Sequence, residues 1–219
     1  MRNEMDDPIR DDFLIFSAIA FAKINNGVSI TRYPYMTLLA ERLARVATGK
    51  TKRLVVNLPP RHFKTWMGTI CLSAWILGHN PSAKIIVLTY GQELADKIAY
   101  AIRAILKSEW YQRIFKKTRV AKNRSKLTDF VTTAGGGVRS LSIESGVTGL
   151  GADFIIIDDP LEIKDWDNSK RLERVNELFD NEILTRLDSP KRGSIVIIAH
   201  RISEDDLSGH VLQKAVGST

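Results

Sequence analysis

Five β-rich runs recur along the chain: RLVVNL (53–58), AKIIVLT (83–89), VRSLSI (138–143), FIIID (154–158) and SIVIIA (194–199). Most are separated by segments with helical periodicity. A strand followed by a helix cannot pair with the next strand through a tight hairpin, so this alternation calls for crossover connections and a parallel sheet clad in helices. The expectation is an α/β, doubly wound, mainly parallel sheet with helices on both faces.

The helical segments are specific. Residues 13–24 and 36–47 read as two helices joined through Gly27 and Tyr33-Pro34, with Gly49 as the stop. Trp66 to Leu77 is a nearly all-apolar helix ended by Gly78 and Pro81. Leu94, Ile98, Ile102, Ile105 and Leu106 line one face of another. Asn168 or Ser169 caps a helix carrying Leu172, Val175, Phe179, Ile183 and Leu187, and Ser203 with Asp206 forms a capping box for a last one. FVTT and VRSLSI flank three glycines and predict a hairpin, whereas KKTRVAKNRSK (116–126) reads as a basic surface loop.

Ligands of such sheets bind beyond the carboxyl ends of the strands, and there the polar residues cluster. PPRHFKT (59–65) follows the first run, Asp158-Asp159 closes the fourth, and His200-Arg201 follows the fifth. Phosphoryl transfer needs a cation on the phosphates, a hydroxyl and an acid for magnesium, and a carboxylate to orient water. Lys64, Thr65, Asp158 and Asp159 supply these in that order, with Glu162 a rival carboxylate. Thr65 opens a helix whose amides favour an anion. The common loop GxxxxGKS or GxxxxGKT would place glycine at 58 and 63, where this chain has Leu58 and Phe63. A phenylalanine in the left-handed region costs about 1–3 kcal/mol, so the loop is expected to bend with Phe63 pointing into protein.

Other features bound the function. Thirty-two Lys and Arg against 25 Asp and Glu, a net charge of +7, suit a polyanionic partner. A single cysteine, Cys71, excludes an internal disulfide and points to a reducing compartment. The charged start and the lack of a long apolar run point to a soluble, intracellular protein without a membrane span. His62, His79, His200 and His210 show no metal-ligand spacing, and Trp66, Trp75 and Trp110 suit packing.

Six blocks then stand in one order: NLPPRHFKT, AWILGHNPSAKIIVLTYGQELADKI, SEWYQRIF, TAGGGVRS, GVTGLGADFIIIDDP and AHRISEDDLSGHVL. Together they resemble the ATPase part of tailed-phage and prophage terminase large subunits. The resemblance implies a RecA-like (ASCE P-loop NTPase) fold, with residues 1–50 a helical part of the ATPase domain, 51–213 its core and 214–219 a tail. It implies ATP and Mg²⁺ as cofactors, with nucleotide contacts from Pro60, Arg61, His62, Phe63, Lys64, Thr65 and Trp66. By the same resemblance Arg61 touches phosphate, Asp158 and Thr65 hold the metal, Asp159 is the catalytic carboxylate and His200-Arg201 is the coupling motif. Arg139 is the candidate arginine finger for a neighbouring subunit, and Leu150 stands where many relatives carry arginine.

The implied partners are double-stranded DNA, a portal protein, a small terminase subunit and further copies in a homo-oligomeric ring, in the bacterial host cytoplasm at the procapsid portal. Because the chain stops at Thr219, the nuclease domain of full terminases is expected to be absent. Two further readings stay open: a RecA-like helicase or recombination ATPase, and a nucleotide-binding assembly module with lost or weak hydrolysis.

Overall fold

The computed structural model describes residues 6–216. Among these, seven strands form one sheet: β1 (Arg53–Asn57), β2 (Lys84–Thr89), β3 (Val120–Ser125), β4 (Asp129–Thr132), β5 (Gly137–Ser142), β6 (Phe154–Asp158) and β7 (Ser194–Ala199), in the order β1-β7-β6-β2-β5-β4-β3. The first five in that order run parallel, and β4 and β3 extend the sheet antiparallel. The fold is RecA-like, α/β and doubly wound. Its decisive feature is that β7, last in sequence, lies between β1 and β6. In register, Asn57 faces Ala199 and Asp158 faces Ile198, so the ends of three strands stand side by side at about 4.8 Å spacing.

Alternation along the strands divides the interior into two cores. Ile85 and Val87 of β2, Ile156 of β6 and Val196 and Ile198 of β7 face one side, while Ile86, Leu88, Ile155, Ile157, Ile195 and Ile197 face the other. On the first face lie α1 (Asp6–Asp11), α2 (Phe13–Ile24), α3 (Pro34–Ala47), α4 (Leu72–His79), α5 (Gln92–Lys107) and α6 (Glu109–Ile114). On the second lie α7 (Ser169–Leu178) and α8 (Leu207–Val216). Asp12 caps α2 by accepting from the Ile15 N–H at 2.9 Å, and Asn168 caps α7 by accepting from that of Arg171 at 3.1 Å. No helix among the described residues is long and apolar enough to cross a membrane.

The structure departs from sequence expectation at several places. The segment 116–126, expected as a loop, contains β3, because Val120 packs on the core and β4 offers a free ladder. The charged start yields α1, where Ile9 is buried, Asp6 meets Arg113 at 3.0 Å and the Trp75 indole donates to the Arg10 carbonyl at 3.1 Å. The periodic run beyond Leu178 is not one α-helix: a π-helical turn (Phe179–Ile183) and a 3-10 turn (Leu184–Arg186) follow α7. Asp206, not Ser203, caps α8, since its Oδ1 accepts from the Gly209 N–H at 2.9 Å.

The glycine hairpin between β4 and β5 is held by the Thr132 N–H donating to the Gly136 carbonyl at 2.8 Å. A Cβ on Gly136 would lie 2.4 Å from the Ala83 carbonyl oxygen, a backbone atom that cannot rotate away, whereas one on Gly91 would meet open space. Gly136→Ala is therefore expected to lower stability by about 1–3 kcal/mol and Gly91→Ala to change it little. Urea unfolding midpoints of the two variants check this.

Candidate active site

The loop after β1 begins as a continuation of the strand, with the Leu58 N–H donating to the Ala199 carbonyl at 3.1 Å. Arg61 and Phe63 then take left-handed conformations, with φ of 64° and 54°. Left-handed residues turn neighbouring amides toward one side, the geometry of anion-binding nests. The Phe63 ring packs edge-on against Phe21 of α2 at 5.4 Å, pointing into protein as the sequence led one to expect. The ring is partly buried there, and this packing works against the cost of its left-handed backbone.

The helical layer holds the loop from behind. The Tyr35 hydroxyl donates to the His62 carbonyl at 3.2 Å, Tyr33 stacks on Tyr35 at 6.0 Å, and His62 Nδ1 lies 2.8 Å from the Pro60 carbonyl. Trp66 donates to the Ser17 carbonyl at 3.1 Å and lies against Phe21, so its indole serves the helical layer. Past Lys64 the chain is helical, with a π-helical segment (Trp66–Cys71) leading into α4. Such segments concentrate at functional sites.

Two consecutive acids end β6. Asp158 is fully buried; Oδ1 accepts from the Thr65 hydroxyl at 3.1 Å and Oδ2 from the Thr69 hydroxyl at 2.7 Å. Burial first, and then the charge of Asp159, push the Asp158 carboxyl up to about 7, against the two threonine hydrogen bonds and Lys64. Asp159 adopts a left-handed φ of 44°, its N–H donating to the Ile198 carbonyl at 2.8 Å and its carbonyl accepting from the Tyr90 N–H at 3.0 Å. Its carboxylate is held on both oxygens. Lys64 Nζ lies 2.9 Å from Oδ2, while the His200 N–H at 3.2 Å and ring Nδ1 at 2.9 Å meet Oδ1. Because a carboxylate only accepts, this contact puts the ring proton on Nδ1. His200 Nε2 is buried with no hydrogen-bond partner.

Arg61, Phe63 and Asp159 are three of the four non-glycine residues with positive φ among the described residues, the other being Asn26. Backbone strain is thus concentrated here, as it is at many functional sites. A cleft of about 370 Å³ opens over Lys64, Asp159 and His200, walled by Pro60, Tyr90 and Glu162. An adjoining hollow of about 570 Å³ shares Pro60 and His200 and is edged by the exposed Trp166. The first volume falls in the range of small-ligand sites.

The structure thus brings together Pro60, Lys64, Thr65, Asp158, Asp159, Glu162 and His200. Glu162 caps the turn Ile163–Asp165 and pairs with Lys164 at 2.5 Å on the cleft rim. Arg61 is exposed on the loop. Arg201 donates to Asp206 at 3.0 Å and to the Ser203 carbonyl at 2.9 Å, tying the end of β7 to the start of α8. Arg139 lies two strands from β6, paired with Asp129 and outside the cleft. Two site residues escaped sequence reasoning. Thr69 had a signal, a second hydroxyl four residues after Thr65 on one helix; Tyr90 had only its place at a strand end.

Magnesium takes few protein oxygens and keeps several waters, so one hydroxyl and one carboxylate at 3.1 Å fit it as a donor set. The buried Asp158 also implies a pH dependence. Its folded value lies above the ordinary 3.8, so between about pH 4 and 7 the folded state binds more protons and stability falls as pH rises. Asp158→Asn is expected to remove this slope, so that urea midpoints of wild type decline across that window relative to the variant; parallel curves would contradict the assignment.

No protein-family model matches the chain, and no curated protein matches it either. Among solved structures it is similar to the crystal structure of the HK97 bacteriophage large terminase, with a TM-score of 0.54 and 14% identity. The match covers 88% of this chain and 38% of that one, so the chain spans about two fifths of its structural neighbour. At this identity the likeness establishes the fold: the chain has a terminase-like α/β architecture.

Proposed function

We propose that this chain is the ATP-hydrolysing motor domain of a viral terminase large subunit, coupling hydrolysis to movement of double-stranded DNA into a procapsid. The observation that carries the reading is the convergence of Lys64, Asp159 and His200 within 3 Å contacts over the buried Asp158 and its Thr65 partner, at the ends of three adjacent strands. Lys64 and Arg61 bind the β and γ phosphates, helped by the amides of the left-handed loop. Thr65 and Asp158 hold Mg²⁺, which neutralises phosphate charge when bound. Asp159 orients the attacking water. His200 reads that carboxylate and passes its state through Arg201 to α8, which is the coupling step.

Arg139 serves the site of a neighbouring copy in a ring, a role that accords with its distance from its own cleft. Portal protein, small terminase subunit and duplex DNA are the partners, in the bacterial host cytoplasm. One observation favours a second reading, a nucleotide-binding assembly module without turnover: both oxygens of Asp159 are engaged by protein donors, which ties the carboxylate to Lys64 and His200 and restricts its turning toward water.

DNA-stimulated ATP hydrolysis separates the two. Wild type is expected to turn over, with Lys64→Ala and Asp159→Asn each losing at least about a hundredfold; equal rates in all three sink the motor reading. ATP binding without turnover, even with DNA and portal present, supports the assembly module. Thr69→Val is expected to raise the Mg²⁺ concentration for half-maximal hydrolysis about tenfold, as loss of a supporting hydrogen bond to a metal ligand does. A magnesium titration of the rate checks it.

A further inference from the structure

The chain's charge is not spread evenly. Residues 116–126 hold six Lys and Arg and no Asp or Glu, leaving 26 Lys and Arg against 25 Asp and Glu elsewhere. Nearly the whole net charge of +7 therefore sits in one eleven-residue stretch. The fold places this stretch at the open edge of the sheet, where β3 pairs with β4 on one side only.

Four of these side chains stand free. Lys116, Lys117, Lys122 and Lys126 are exposed, and none is in an ion pair among the described residues. The acids of the hollow beside Lys116 and Lys117 are already engaged: Asp6 with Arg113 at 3.0 Å and Asp7 with Arg10 at 2.8 Å. Arg119 has a different task, donating to the carbonyls of Gln112, Phe115 and Thr118 and bracing the entry to the strand. Lysines on an edge strand can simply block edge-to-edge pairing. That accounts for Lys122 alone, because Lys116, Lys117 and Lys126 lie outside β3 and guard no ladder.

We infer that this lysine ribbon is a binding surface for the phosphate backbone of duplex DNA. The inference rests on the proposed function for naming DNA as the polyanion. Lysine presents a point charge without a bidentate fork, which suits phosphates and reads no base edges, so binding is independent of sequence. A duplex carries one charge per ~1.7 Å of axis and can meet a group of exposed ammonium charges in many registers, a property useful to a surface along which DNA slides. Four strand steps separate β3 from β6, about 19 Å at ~4.8 Å per step, so the ribbon does not overlap the nucleotide cleft.

The test uses the full chain, a short fluorescent DNA duplex of arbitrary sequence and a NaCl titration. A variant with Lys116, Lys117, Lys122 and Lys126 changed to Gln is compared with one in which the exposed Lys23, Lys50, Lys170 and Lys191 are changed to Gln, an identical loss of charge. Each phosphate contact contributes about 0.9 to the slope of log affinity against log salt. The ribbon variant is expected to lose about 3–4 from that slope and at least tenfold in affinity, while the control keeps most of both.

Equal losses in the two variants overturn the inference in favour of net charge alone. An unchanged slope with self-association of the ribbon variant overturns it in favour of edge protection, and transfer of wild-type binding from duplex to anionic vesicles overturns it in favour of a lipid surface. DNA-free ATP hydrolysis of the ribbon variant keeps the two proposals apart. Normal turnover with unaltered DNA binding rejects the ribbon and leaves the motor intact; ribbon-dependent DNA binding by a protein that hydrolyses nothing does the reverse.

Discussion

A buried carboxylate joins the two halves of the candidate site. Asp158 sits at the end of β6 with no solvent to stabilise a charge, and its hydrogen-bond acceptors are met by Thr65 and Thr69 from one helical turn beyond the loop. An unpartnered polar group in that position would cost several kcal/mol, so the loop and the strand cannot drift apart without penalty. The insertion of β7 between β1 and β6 leaves a gap that these threonines bridge. The geometry of Lys64 over Asp159 is inherited from that bridge.

The strained backbone has a similar logic. Three left-handed non-glycine residues at one site would be hard to sustain in isolation. Each is secured from outside the loop: Phe63 by the ring of Phe21, Asp159 by backbone hydrogen bonds to β7 and to Tyr90, and the loop between by Tyr35. The N-terminal helices are therefore part of the site's support, since α2 and α3 supply two of these three restraints.

Much of this was legible beforehand. The alternation of apolar runs with helical periodicity predicts the parallel sheet, because burial on both faces leaves a clear compositional mark. The clustering of Lys64, Thr65, Asp158, Asp159 and His200 follows from their places at strand ends. What escaped depends on the third dimension. Residues 116–126 look like a solvated loop because lysines mask the inward Val120, and only the partner strand β4 reveals the pairing. Thr69 is lost in an apolar helix, where a hydroxyl reads as incidental until a carboxylate is found opposite it. The π-helical turns leave no trace in periodicity, since Trp66–Cys71 is apolar at nearly every position.

The double hold on Asp159 makes occupancy and readiness two separate equilibria. With Lys64 on one oxygen and His200 on the other, the carboxylate is electrostatically satisfied within the protein, and an arriving anion competes with it for the lysine. Only molecules in which that pair has opened present the full positive charge, so the apparent affinity is the intrinsic one reduced by the open fraction. A weak grip on an anion is then a property of the closed Lys64–Asp159 pair and not of the loop, and any partner that draws Asp159 away from Lys64 would tighten binding without touching the ligand.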